Sequence, residues 1–156
     1  LRLRFIWVGK TKNRNLASLE ELYLKRISRF VKCETIPVAE IKKTARLSLS
    51  SGLAKEGKAV LNKLNRESYS IALDETGIEM NSLDLARLIQ ERMTHGTQEI
   101  VFVGFGYHGK PEGLQEHLNM NLSLSRFTLP HELARVVLLE QIYRAFCLIN
   151  GMPYHK

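Results

Sequence analysis

Several things are scarce in this chain. Its 156 residues include two cysteines, Cys33 and Cys147, too few for the disulfide framework of a small secreted domain. Both stand among apolar neighbours, as buried thiols in a reducing cytoplasm would. No apolar run approaches the ~20 residues that a membrane-spanning helix needs. The opening stretch, Leu1 to Gly9, is basic and apolar but too short for a signal-peptide core, and it lacks a small-residue cleavage site. It begins on leucine, which implies a trimmed or processed terminus. Repeats and linker-like stretches are missing, so residues 1–156 read as one domain with room for a proper core. His95, His108, His117, His131 and His155 are scattered without ligand spacing, which argues against a metal. Acidic residues are in deficit: 16 Asp and Glu face 23 Lys and Arg, a net charge of +7. That excess favours a polyanionic partner, with RNA the obvious one, although a generically basic domain would also carry it.

The pattern that is present alternates strands with helices. In residues 1–9, Leu1, Leu3, Phe5 and Trp7 face one way and Ile6 and Val8 the other, a strand period. Leu16, Leu19, Tyr23, Ile27 and Phe30 recur at helical spacing, with Lys25, Arg26 and Arg29 opposite. Residues 31–38 read as a second strand, and the polar stretch 39–51 as a mobile surface loop. A helix carrying Leu53, Gly57, Val60, Leu61 and Leu64 follows, then a third strand over 69–74 that ends in an Asp74–Gly77 turn. Asn81 or Ser82 caps a helix with Leu85, Leu88, Ile89 and Met93 inward. Residues 100–103 are a fully apolar fourth strand. Pro111 opens a further helix with Leu114 and Leu118 facing in, and residues 122–124 form a fifth strand. Pro130 starts the longest helix, which Gly151 and Pro153 stop. This order predicts an α/β fold with a mostly parallel sheet flanked by helices.

In such sheets ligands collect beyond the carboxyl ends of strands. Three segments qualify: 73–77, 104–109 and 124–130. The second reads Gly104-Phe-Gly-Tyr-His-Gly109, the literal dinucleotide fingerprint G-x-G-x-x-G between a strand and a predicted helix. Its glycines allow close backbone approach to a flat ligand such as adenine. Residues 121–131 contain no acid at the ribose-reading distance, which counts against a nicotinamide site. The last helix is apolar on two faces, one with Val136, Leu139, Tyr143 and Phe146, the other with Leu138, Ile142, Ala145 and Ile149. One face would pack on the chain's own sheet and the other on a partner in a twofold homodimer, the alternative being a central core helix in a monomer. After it, a frayed tail is the default, yet Tyr154, His155 and Lys156 group an aromatic face, an imidazole and a cation, a set that could stack on a base and manage a proton or a phosphate.

Trp7-Val-Gly-Lys-Thr-Lys12, Phe102-Val103 with its glycine loop, Leu122-Ser-Leu-Ser-Arg-Phe-Thr-Leu-Pro-His131, Val137-Leu-Leu-Glu-Gln-Ile-Tyr-Arg-Ala-Phe146 and Pro153-Tyr-His-Lys156 together resemble the ribosomal RNA large subunit methyltransferase H family, end to end. The resemblance implies a SPOUT-class fold, an α/β trefoil knot in the C-terminal half that chain physics alone would not suggest. It implies methylation of ring nitrogen 3 of a pseudouridine in 23S ribosomal RNA on the assembled ribosome, in the cytoplasm, with no membrane and no DNA as partner. S-adenosylmethionine would be the methyl donor, bound at Leu73, at the glycine loop (Gly104, Phe105, Gly106) and along Leu124, Ser125, Arg126, Phe127, Thr128 and Leu129. Arg144, Tyr154 and His155 would serve catalysis, with His155 the candidate base or proton relay. Arg144 could orient RNA phosphate or the tail, or else pair with Glu140 four residues earlier. The chain departs from the family pattern at the glycine loop. Phe105 stands where a glycine is usual and Gly104 where an aliphatic residue is. Either Phe105 has ordinary φ and its ring borders the cofactor, or the pocket is altered. A non-catalytic RNA-binding module on the same fold is the competing reading.

Overall fold

A computed structural model describes residues 1–41 and 48–154. Five strands, β1 (Arg2–Val8), β2 (Lys32–Val38), β3 (Tyr69–Glu79), β4 (Glu99–Gly104) and β5 (Met120–Ser123), form a sheet of order β2-β1-β4-β3-β5. Every pairing is parallel. Four helices flank it: α1 (Arg14–Ile27), α2 (Leu49–Leu61), α3 (Ser82–Thr94) and α4 (His131–Ile149). Alternation in β1 divides the core in two. Leu3, Phe5 and Trp7 join Ile100 and Phe102 under α1, α3 and α4, while Ile6 and Val8 join Val101, Val103 and Phe105 on the side of α2. Each fully buried Leu, Ile or Phe among them contributes ~2 kcal/mol by leaving water. Pro37, which cannot donate to a ladder, sits in β2 at the sheet's edge.

Local chemistry sets the helix starts. The Asn13 side chain accepts from the amides of Asn15 and Leu16, Ser48 from Ser51, and Asn81 from Asp84. α2 therefore begins inside the stretch that reads as loop, and residues 42–47 of that stretch lie outside the described residues.

Three expectations change. Residues 74–77 do not end β3. They bulge out of it, so that Leu73 and Ile78 both face Leu122 of β5. The bulge is closed by Asp74, whose Oδ1 accepts from the Thr76 amide and hydroxyl, and Gly77 lies where a Cβ would meet the Asn121 backbone at 2.7 Å. The helix expected after Pro111 is a single 3₁₀ turn at Gln115–His117, although Leu114 is buried as foreseen. Glycines at 109 and 113, both at positive φ, bend the chain there instead. Finally, the two apolar faces of α4 are covered within the chain. One packs on α1 through Tyr143 and Phe146 against Phe30 and Tyr23, the other lies towards α3 and the sheet.

Candidate cofactor crevice and C-terminal cluster

β4 inserts between β1 and β3, so the chain reverses its direction of travel across the sheet beside β1, and the carboxyl ends of β1 and β4 meet there. This is the place where open α/β sheets hold ligands. Trp7 pairs in register with Gly104, and Leu73 stands on the other side, its Cδ1 3.8 Å from where a Gly104 Cβ would be. Gly106 lies against the Glu40 carboxylate, where a Cβ would come 2.8 Å from Oε1. Phe105 has ordinary φ and is 6% exposed, its ring packed in the α2-side core. Its ring therefore does not border the crevice, and only its backbone is offered there. No α-helix stands behind the glycine loop. The helix N-terminus that a dinucleotide fingerprint needs for pyrophosphate is missing, which overturns that reading.

The segment 124–129 lies along the β3 bulge. Leu124 packs on the core, the Ser125 hydroxyl accepts from the Phe127 amide at 2.9 Å, Arg126 pairs with Glu79 at 3.2 Å, and the Thr128 hydroxyl donates to Glu75 at 3.2 Å. Phe127 and Tyr107 are left 84% and 82% exposed. Beyond Gly109, Lys110 Nζ clamps the rim, 2.6 Å from Asp74 Oδ2 and 2.8 Å from Gln115 Oε1. Burial alone would raise the Asp74 carboxyl, but hydrogen bonds from Lys110 and Thr76 outweigh it and hold it below its ordinary value.

Sequence reasoning missed the groups that fasten this crevice. Arg135, 1% exposed, donates from Nη2 to the Val8 carbonyl at 2.6 Å and from Nη1 to Thr11 Oγ1 at 2.9 Å, and its guanidinium lies 5.5 Å from the Trp7 ring centre. The Thr11 hydroxyl in turn bonds the buried Glu20, whose carboxyl burial pushes up. Glu132 accepts from the amides of Lys12 and Asn13 at 3.0 and 3.1 Å, and these bonds lower its carboxyl. The start of α4, and with it segment 124–130, is thereby tied to the end of β1. One signal was available: Arg135 falls on the apolar stripe of Leu138, Ile142 and Ala145, where a cation belongs only if it is paired.

The expected catalytic residues gather elsewhere. Arg144 bonds Glu140 through Nη2 at 2.6 Å, the pairing foreseen from their spacing, and stacks 4.9 Å from the Tyr154 ring centre. Tyr154 meets Tyr143 edge-on at 4.8 Å and donates to Glu140 at 3.3 Å. Burial, then Tyr23 and Glu140, push its phenol up to about 12, so it stays protonated and offers a ring and a donor rather than a base. His155 lies outside the described residues. Glu140 and Arg144 sit nine and thirteen residues into α4, about 14–20 Å along the axis from its start. The thiols are free, Cys147 buried and Cys33 half-buried. Among the described residues no group of three or more His, Cys, Asp or Glu could hold a metal, and no helix is long and apolar enough to cross a membrane.

Residues 1–155 match the family described as "Predicted SPOUT methyltransferase". Proteins named ribosomal RNA large subunit methyltransferase H match over their full length. That of Limosilactobacillus fermentum is 39% identical with both chains wholly covered, that of Oenococcus oeni 40% with 100% and 99% covered, and that of Geotalea daltonii 37% with 99% of each covered. A crystal structure of a probable methyltransferase from Bordetella pertussis superposes with a TM-score of 0.59 over 92% of this chain and 95% of that one, at 14% identity, a likeness of fold.

Proposed function

Since the chain belongs to the ribosomal RNA large subunit methyltransferase H family of SPOUT methyltransferases, we propose that it transfers the methyl group of S-adenosylmethionine to ring nitrogen 3 of a pseudouridine in 23S ribosomal RNA, with the assembled ribosome as substrate. The observation that carries this reading is the crevice at the β1/β4 reversal. Leu73 and the 104–106 backbone stand there, and they are among the residues expected to hold that donor. The residues fit the group. Backbone N–H and C=O groups can read a flat adenine. The carboxylate of Glu40, beside Gly106, suits a cationic sulfonium, and the nearby cation Lys110 is already neutralised by Asp74. When bound, the donor supplies an activated methyl carbon.

The protein's task is then alignment. Segment 124–129 and the glycine loop orient the ligand. Tyr107 and Phe127, exposed at the rim, give stacking faces for RNA bases, and the net charge of +7 suits phosphate. The acceptor nitrogen carries a proton, and His155 is assigned to take it, with Arg144 and Tyr154 holding the tail.

In this reading the enzyme works as a twofold homodimer, in which each tail completes its own site or the neighbour's. Support comes from the outer stripe of α4. Leu133, Val137, Glu140 and Arg144 lie in line and half-exposed, beside a shallow groove lined by Leu16, Pro130 and His131. Antiparallel pairing about Val137 would bring the 144 end of one helix to the 131 end of the other. The trefoil knot and action in the cytoplasm belong to the same reading.

The experiment is methyl incorporation from labelled donor into free ribosomal RNA, isolated large subunits and whole ribosomes. Whole ribosomes should be labelled best. Binding of ribosomes without any labelling would support the non-catalytic module instead.

A further inference from the structure

Trp7 is the chain's one tryptophan. It stands at the carboxyl end of β1, 4% exposed, on the face shared with α4. Its six-membered ring lies directly over Gly104, where an added Cβ would come 2.8 Å from both Cε3 and Cζ3. Real Cβ atoms do not approach so closely, and the ring has nowhere to yield. Phe5 packs beside it at 5.6 Å, and Arg135, pinned to Val8 and Thr11, covers it at 5.5 Å. Among the described residues the buried indole N–H has no hydrogen-bond partner, so the ring is held by its packing and by Arg135 above it. Gly104 does not have positive φ. Glycine is needed there for the space it leaves to the indole and not for its backbone freedom.

These contacts join Gly104 and Arg135, which the chain supplies 31 residues apart. Arg135 belongs to the first turns of α4, into which segment 124–130 leads. Gly104 opens the glycine loop. The Trp7 ring is the spacer between them. We infer that Trp7 and Gly104 form a fitted pair, locked under Arg135, that sets the distance between the glycine loop and segment 124–130, which makes Trp7 a positioning residue for the cofactor. This rests on the reading of the crevice as the S-adenosylmethionine site. The physical lever is that misplacement of a binding wall by even ~1 Å is enough to spoil an aligned site.

The test uses the full-length chain and S-adenosylhomocysteine as the probe, with binding followed by calorimetry. In G104A the new Cβ collides with the immobile ring, and affinity should fall at least ~10-fold. W7L removes the ring atoms that collide but leaves the loop loosely supported, and should also weaken binding. The double variant W7L/G104A should bind more tightly than G104A alone and approach the wild-type value, because the Leu leaves room for the methyl. Independent defects would instead add. In the wild-type chain Trp7 emission should change on titration and saturate together with the calorimetric signal, a readout that needs no variant. Unaltered affinity in G104A, or a double variant weaker than either single one, would overturn the fitted pair, as would emission that stays constant through calorimetric saturation. Absence of any calorimetric binding by the wild-type chain would overturn the crevice reading itself, and the inference with it.

Discussion

At the scale of single residues, a few charged groups decide how the crevice holds its shape. Asp74 closes the β3 bulge with one oxygen and receives Lys110 on the other. Its carboxyl titrates below its ordinary value of 3.8, so the folded state favours the ionised form. The stabilisation is therefore present above that value and is lost as pH falls through the lowered one. D74N keeps an acceptor for Thr76 but loses the ion pair. It should cost about 1 kcal/mol at pH 7, with the gap to wild type closing as pH falls below the ordinary value of 3.8 and through the lowered one. Denaturant unfolding at several pH values checks this, and a gap that does not change with pH would show that the clamp acts without charge. Arg135 is the residue that the sequence hid most effectively. Its place on an apolar stripe signals a paired cation, but its partners, a carbonyl and a hydroxyl more than 120 positions away, are not legible from the sequence.

At the scale of elements, what could be read depended on whether the signal was local. The inward and outward sets of β1 and the apolar β4 follow from a period of two, and the structure keeps both. The Asp74–Gly77 stretch has turn chemistry, but the same residues serve a bulge as well as a chain end, and only β5 alongside settles which. Pro111 signals a helix start, yet the glycines around it stop one from growing past a single turn. The circumference of α4 is apolar because α1 and α3 both flank it, and a sequence does not distinguish a flanking helix of its own chain from one of a second copy. The end of β4 at Gly104 was legible from the apolar run that precedes it. The distance of Tyr154 from it was not, since it depends on where the tail folds back. Deleting Tyr154–Lys156 should leave the melting transition and the assembly state nearly intact, because Tyr154 rests on the outside of α4 and its loss opens no core. Methyl transfer should fall at least ~100-fold, the scale of a lost proton acceptor or a misaligned substrate. A truncated chain that turns over normally would remove the tail from the mechanism, and one that unfolds would make it a structural element.

At the scale of the whole molecule, assembly and charge are linked through the same helix. If α4 pairs about Val137, V137D places a carboxylate on the twofold axis opposite its own copy. Sedimentation should then move from a species of twice 17.9 kDa to one of 17.9 kDa. Wild-type chain that sediments only as the smaller species would count decisively against pairing. Affinity for ribosomes should drop at least ~10-fold between 50 and 200 mM salt, as Lys and Arg release counterions from phosphate. Indifference to salt would detach the basic surface from recognition.

The most direct measurement is the position of the transferred methyl group. Whole ribosomes lacking the modification are incubated with the purified chain and isotopically labelled S-adenosylmethionine, the 23S ribosomal RNA is digested, and the labelled nucleoside is identified by mass spectrometry. The account predicts one labelled nucleoside, a pseudouridine methylated at ring nitrogen 3. Label on a ribose, on another base, or on ribosomal protein alone would contradict it.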